Sequence, residues 1–282
     1  MSKKTNSKES ARKRTKARLE LIKSGTRGAL HYLSSFPVNG QSFKYPKLDT
    51  IDVAGYRRVL ILSPHPDDDV IGCGGVIGLC AERGVKVKVV YLTDGRHGNS
   101  NIPMDELIRM RRAEAKSALG VFGYDDTVFL NLPDMGLECT EENVRTVLDI
   151  VKSFKPDAVF APTFYEMVPD HINTARIAAN VALRTRREID WYGYEVWCPT
   201  LFNPAHHIVL VDVGAMMDKK IAAINKHRSQ TDVCDYAPKI AGLNAYRSML
   251  AVKGINYCES FIKFNRKEFV DHAWTCGAFE KT

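Results

Sequence analysis

From residue 57 the chain alternates short β-branched runs with longer helical stretches, and this alternation restricts its fold more than any other feature. Residues 57–63 (RRVLILS) form an apolar run of strand length that stops at Pro64. Residues 70–83 read as a helix, with Gly84 placed to close it. A β-branched strand follows over 86–92, then a polar Gly/Asn-rich loop over 95–103 and a helix over 104–119 that ends at Gly120. The pattern continues with a strand over 127–131, a helix over 141–154, a strand over 158–161 and a helix over 172–187. Strands near 192–197 and 208–213 and a helix over 216–227 complete it. This order predicts an α/β fold, with a mostly parallel sheet joined by right-handed crossovers and flanked by helices. Such sheets bind ligands at the carboxyl ends of their strands. Segments 64–69, 93–99 and 162–171 all begin at such ends, so their chemistry can converge.

The chain has 282 residues, 45% of them hydrophobic, which fills the core of such a domain without disulfides. Its seven cysteines are scattered and form no CxxC pair, the pattern of reduced thiols in a cytoplasmic protein. Cys73, near the acidic loop, reads as a buried small residue. The net charge of +7 is local. Residues 1–30 carry ten Lys/Arg against two Asp/Glu, while the remainder holds 30 basic and 31 acidic residues. We therefore divide the chain into a basic N-terminal extension, residues 1–40, and one domain over 50–282. The extension lacks the apolar core of a secretory signal, and no run of 18 apolar residues suggests a membrane span. A near-neutral body gives no reason to expect a nucleic-acid partner. Contact between the basic arm and an anionic membrane surface stays open, as does oligomerisation.

The chemistry concentrates in Ser63-Pro64-His65-Pro66-Asp67-Asp68-Asp69, directly after a strand. One imidazole and three carboxylates occupy five residues, and clustered carboxylates raise one another's pKa unless a cation compensates them. Catalytic zinc sites commonly use three His or carboxylate ligands and leave a position for water. His65 and Asp68 can supply two ligands from one turn. Pro169-Asp170-His171, after the strand over 158–161, is the best source of a third, with Asp170 available to orient an imidazole. Two imidazoles favour zinc or another divalent transition metal over calcium. Gly72-Cys73-Gly74-Gly75 suggests a dinucleotide loop, but the third glycine of that pattern falls on Ile77. Three carboxylates also stand where a pyrophosphate would bind. The glycines read instead as close helix packing beneath the acidic loop.

These residues resemble the PIG-L/LmbE family of zinc-dependent de-N-acetylases. Residues 64–75 carry the resemblance most strongly. Leu92-Thr93-Asp94-Gly95, Arg111-x-x-Glu114, Pro169-Asp170-His171 and His227-Arg228-Ser229-Gln230 follow in family order. The resemblance implies a Rossmann-like fold, with His65, Asp68 and His171 on zinc and Asp67 as general base. It implies hydrolysis of an N-acetyl group from an amino sugar or sugar conjugate. Zinc would activate water and polarise the amide carbonyl, and Asp67 would take the water proton. Tyr165 is a candidate oxyanion donor.

The chain departs from the family most at Val168, which stands where a histidine usually precedes the Pro-Asp-His segment; Asp69 in place of the commoner glutamate is a milder change. His227 offers an imidazole for that role, and Asp67 shuttling the proton itself is the alternative. A deacylase of another amide, or a metal- or carbohydrate-binding protein with impaired catalysis, are the competing readings. Arg96 and His97, beside Asn99 on the loop after Asp94, are candidates for substrate contact. Arg111 is either a further substrate contact or the partner of Glu114 in a surface ion pair. His206 and His207 read as a solvent-facing pair, and His31 and His272 have no supporting context.

Overall fold

The computed structural model describes residues 49–198, 207–251 and 254–264, and all but His207 belong to one compact unit. The expected extension over 1–40, and His31, His206 and His272, lie outside the described residues. Eight strands form one sheet: β1 Asp49–Thr50, β2 Arg58–Ser63, β3 Lys86–Thr93, β4 Thr127–Leu132, β5 Ala158–Pro162, β6 Asp190–Tyr194, β7 Ile208–Asp212 and β8 Cys258–Phe264. Their order is β1-β7-β8-β6-β5-β2-β3-β4. Five pairings are parallel, and β8 alone runs against its neighbours, β6 and β7. The helices are α1 Asp68–Glu82, α2 Met104–Gly120, α3 Glu141–Phe154, α4 Pro169–Arg184, α5 Met217–Ile224, α6 Arg228–Thr231 and α7 Tyr236–Arg247. None of them is long and apolar enough to cross a membrane.

The expected α/β sheet is present, and its central strands bury both faces, as parallel strands under helices must. Val59 and Ile61 join α1, α2 and α5 in one core, while Leu60 and Leu62, facing the other way, are equally buried. There α4 packs on β5 and β2, with α3 beside it. Gly84 takes φ +67° just after α1, as a closing glycine does.

Several expected boundaries move. The helix expected to begin at 172 starts at Pro169, whose ring suits a first helical position. His171 therefore stands on the first turn of α4 rather than in a loop. The strand expected over 192–197 ends at Tyr194. Beyond it, Glu195 pairs with Arg247, and the Val196 and Trp197 N–H groups turn to Glu166. The helix expected over 216–227 stops at Ile224, and His227 precedes the short α6. Neither β8 nor α7 was expected.

The glycines of α1 do what the close-packing reading requires. A Cβ on Gly72 would stand 2.3 Å from the Tyr194 ring, and one on Gly75 would stand 2.3 Å from Val213 Cγ1. Glycine in a helix interior ordinarily costs ~0.5–1 kcal/mol relative to alanine. Here Gly75→Ala is predicted to reverse that sign and destabilise the fold by about 1–3 kcal/mol through overpacking. Urea unfolding measures the change, and a neutral or stabilised variant contradicts the packing.

Candidate metal centre and active site

Three strand ends meet at one edge of the sheet, and local hydrogen bonds fix their loops. Ser63 Oγ donates to the His65 carbonyl at 2.7 Å and accepts the Asp69 N–H at 3.1 Å. Thr93 donates its N–H and hydroxyl to the Pro64 carbonyl, at 2.9 and 2.8 Å. The loop after β2 is thereby tied to β3, and Asp67 is delivered to the end of α1, with Asp68 and Asp69 in its first turn.

Three lone-pair donors converge here. His65 Nδ1 lies 3.1 Å from Asp68 Oδ2, His171 Nε2 lies 3.2 Å from the same oxygen, and the two imidazole nitrogens are 3.2 Å apart. A tetrahedral ion with ligands at ~2.0–2.1 Å spaces its donor atoms about 3.3–3.4 Å apart, close to this triangle. Two imidazoles and one carboxylate are also the donor set that zinc-like ions take. The residues present therefore fit a divalent transition metal.

Each imidazole has carboxylates behind it. His65 Nε2 lies 3.1 Å from Asp134 Oδ1 and 3.2 Å from Asp170 Oδ2. Asp134 accepts the His97 N–H at 2.9 Å, and Asp170 accepts the Met135 and Leu137 N–H groups at 2.7 and 3.2 Å. His171 Nδ1 stands 3.2 Å from Glu166 Oε2, without an aligned hydrogen bond. Glu166 in turn accepts the Val196 and Trp197 N–H groups at 2.7 and 2.8 Å. His65, Asp134 and Asp170 form a second close cluster. That cluster offers one imidazole and two carboxylates, whereas the first offers two imidazoles, the donor set that better suits a zinc-like ion, so Asp134 and Asp170 fit orienting His65.

The buried imidazoles and carboxylates shift one another strongly. Burial alone would depress the His65 pKa, yet hydrogen bonds to Asp134, Asp170 and Asp68 carry it well above the usual histidine range. Burial likewise works against His171, but Asp68 raises it to about 9. The same two histidines overcome burial to hold Asp68 well below the carboxylate range. Asp67 is raised by burial, against the opposing pull of Arg111.

Arg111 turns inward rather than pairing with Glu114. Its Nη2 lies 2.8 Å from Asp67 Oδ1, and Nη1 donates to the Gly95 carbonyl at 3.0 Å. Gly95, at φ +68°, makes room for it, since a Cβ there would stand 2.5 Å from Nη1. Glu114 instead accepts the Ser229 N–H and hydroxyl, at 2.8 and 2.6 Å. Arg96 is clamped on Asp94, and the His97 side chain is exposed while its N–H serves Asp134. Tyr165 is half-buried, its N–H donating to Thr163 Oγ1 at 3.2 Å. His227 is 2% exposed, with no hydrogen-bond partner on either ring nitrogen. Burial, then Arg111, lowers it to about 3, so its imidazole is neutral. Val168 caps α4 through its carbonyl, which accepts the His171 and Ile172 N–H groups. Asp134 and Glu166 were not singled out by the sequence; the available signal was an acid just past the end of a parallel strand.

The comparisons agree with this geometry. Residues 60–182 match the family model for PIG-L, described as GlcNAc-PI de-N-acetylase. A probable N-acetyl-alpha-D-glucosaminyl L-malate deacetylase 2 from Bacillus anthracis is 30% identical over 207 residues, covering 70% of this chain and 83% of the relative. The solved N,N'-diacetylchitobiose deacetylase of Pyrococcus horikoshii superposes with a TM-score of 0.68 at 27% identity, over 76% of this chain and 86% of that one. A 4-oxalmesaconate hydratase from Pseudomonas putida is 24% identical over 230 residues, covering 72% of this chain and 87% of the relative.

Two predictions follow from the cluster. An ion on the neutral imidazoles must displace protons held by groups such as His171, near 9, so affinity falls as pH is lowered below that value. At pH 7 binding should release one or more protons, read by calorimetry in buffers of different ionisation enthalpy; no release contradicts the assignment. Glu166→Gln should weaken metal affinity about 10–100-fold, measured by competition with a chelator, and an unchanged affinity removes its orienting role. With the strand order, the ligand triangle and the matches to family model and relatives taken together, this chain belongs to the PIG-L (GlcNAc-PI de-N-acetylase) family.

Proposed function

We propose that the protein is a metal-dependent hydrolase that removes the N-acetyl group from an amino sugar or a sugar-containing conjugate. The observation that carries this reading is the Asp67 carboxylate, held by Arg111 beside the His65, Asp68 and His171 triangle but outside it. A binding protein has no need for an unligated, buried carboxylate there. A divalent ion on the three donors, zinc in this reading, supplies Lewis acidity to water and to the acetamide carbonyl.

The remaining work falls to the chain. Asp67 accepts a proton from the attacking water, and Arg111, 2.8 Å away, fixes the carboxylate that does so. The raised Asp67 pKa makes the returned proton easier to hold until the amine departs. Asp67 therefore serves as shuttle in place of the histidine that Val168 replaces. His227 is held neutral, which argues against a charged proton donor but leaves its unpaired N–H available to a developing oxyanion. Tyr165, on the loop after β5, is the second candidate for that donation. Arg96 and His97 border the site on the loop after β3 as contacts for sugar hydroxyls.

The deacetylases named among the relatives support a substrate in which the acetamide belongs to a hexosamine. Six described cysteines are free, which supports a reducing, cytoplasmic setting. Membrane contact through the basic arm and oligomer formation remain expectations.

Acetate release from a panel of N-acetylated sugars and conjugates tests the reading. The metal-loaded protein should release acetate, chelation should abolish release, and Asp67→Asn should lower kcat about 10²–10⁴-fold with metal still bound. A variant that keeps its rate removes Asp67 as base. Stoichiometric metal without acetate from any substrate favours another amide or a hydration reaction.

A further inference from the structure

A cavity of about 500 Å³ opens between the last turn of α3, the end of α4 and the segment that leads into β6. These segments precede the amino ends of β5 and β6, whereas the metal loops leave the carboxyl ends of their strands. The cavity therefore lies at the edge of the sheet opposite the metal centre. Helix α4 carries His171 in its first turn and Arg184 as its last residue, so about 20 Å of helix separates the two places. Leu148, Val151 and Ile189, all buried, give the cavity an apolar wall.

Every charged residue that lines it is a cation. Three of these have carboxylate partners. Lys152 Nζ lies 3.3 Å from Asp149 Oδ1, Arg184 meets both Glu141 oxygens at 2.7 Å, and Arg187 Nη2 donates to Asp157 Oδ1 at 2.7 Å. The other two, Lys155 and Arg186, are exposed and have no carboxylate partner among the described residues. Lys155 takes φ +54°, where glycine at a helix end fits with less strain. Its backbone is held from both sides, donating its N–H to the Val151 carbonyl at 2.9 Å and accepting Arg58 Nε on its own carbonyl at 2.8 Å. Cations near the ends of α3 and α4 offset the helix dipoles, which accounts for Lys152 and Arg184. It does not account for two unpaired cations over an apolar cavity.

A volume of this size, apolar inside with a few charged groups at its mouth, is that of a small-molecule site. Guanidinium and ammonium groups meet a carboxylate or phosphate through charge-assisted bonds. No aromatic side chain lines the cavity, so its walls suit an aliphatic body better than a stacked ring.

We propose that this cavity binds a soluble organic anion with an aliphatic body. Its carboxylate or phosphate head meets Lys155 and Arg186, and its chain lies on Leu148, Val151 and Ile189. The site is separate from the metal centre and does not depend on the reaction carried out there.

Calorimetric titration of the metal-loaded full chain with octanoate, octyl phosphate and 1-octanol tests the proposal. At least one of the two anions should bind once per chain, at least about tenfold more tightly than the alcohol, since a charged hydrogen bond is worth that much. The double variant Lys155→Gly, Arg186→Gln should lose that advantage while its thermal midpoint stays near the parent's. Arg186→Gln alone, a change at an exposed side chain, should already weaken the anion and leave the alcohol unchanged. Chelating the metal should not alter the affinity. Binding that disappears on chelation puts the anion on the metal and overturns the proposal. So does an affinity that the variants leave unchanged, or the absence of saturable binding by either anion. Attachment to vesicles of anionic phospholipid without binding of either free anion also overturns it, because the cations then serve a membrane face rather than a cavity.

Discussion

The structure depends on compensating a buried concentration of negative charge. Asp67, Asp68, Asp69, Asp134, Glu166 and Asp170 are all at most 7% exposed, and they surround two histidines at one edge of the sheet. An isolated carboxylate at such depth costs several kcal/mol (order of magnitude) unless donors or cations meet it. The chain supplies a donor to every one of them. Asp67 has Arg111, Asp69 has the Tyr91 hydroxyl, and Asp134, Glu166 and Asp170 have backbone N–H groups from neighbouring loops. Asp68 accepts the His65 backbone N–H at 2.9 Å, with the His65 and His171 imidazoles beside the same oxygen. Those backbone donors belong to loops from different strands, so the carboxylates beside the imidazoles also tie β3, β4, β5 and β6 together at their ends.

The support beneath the site follows the same logic. The first turn of α1 carries Asp68 and Asp69, and the next turn is made of glycines that let Tyr194, Lys220 and Val213 approach closely. Lys220 is fully buried and pairs with Glu259 at 2.7 Å. Glu259 also accepts the Gly75 and Val76 N–H groups at 2.6 and 2.9 Å, which pins α1 to β8. Any shift of α1 would carry Asp67 and Asp68 with it.

Most of this fold was legible because parallel strands under helices announce themselves as continuous apolar runs. Residues 57–63, 86–92 and 158–161 are read correctly for that reason. The strand β8 was missed because Glu259 and Ser260 interrupt its apolar pattern, and their burial is explained only by Lys220 and the α1 backbone, distant in sequence. Helix α7 contains Pro238 and Gly242, which dilute its helical signal. The convergence of His65, Asp68 and His171 could be anticipated from residue chemistry and strand ends. For Arg111 an inward position and a surface pair with Glu114 both stood open, and its partners, Asp67 and the Gly95 carbonyl, depend on a turn that the sequence does not place. Asp134 and Glu166 were hidden for a related reason: their importance lies in which imidazole they stand behind.

The central claim is that His65 Nδ1, Asp68 Oδ2 and His171 Nε2 hold the ion. Anomalous diffraction at the zinc edge from a zinc-loaded crystal tests it most directly. The account predicts one strong peak within about 2.0–2.2 Å of those three atoms, with Asp67 outside the coordination sphere. A peak on His65 Nε2, Asp134 and Asp170, or Asp67 among the ligands, would contradict it.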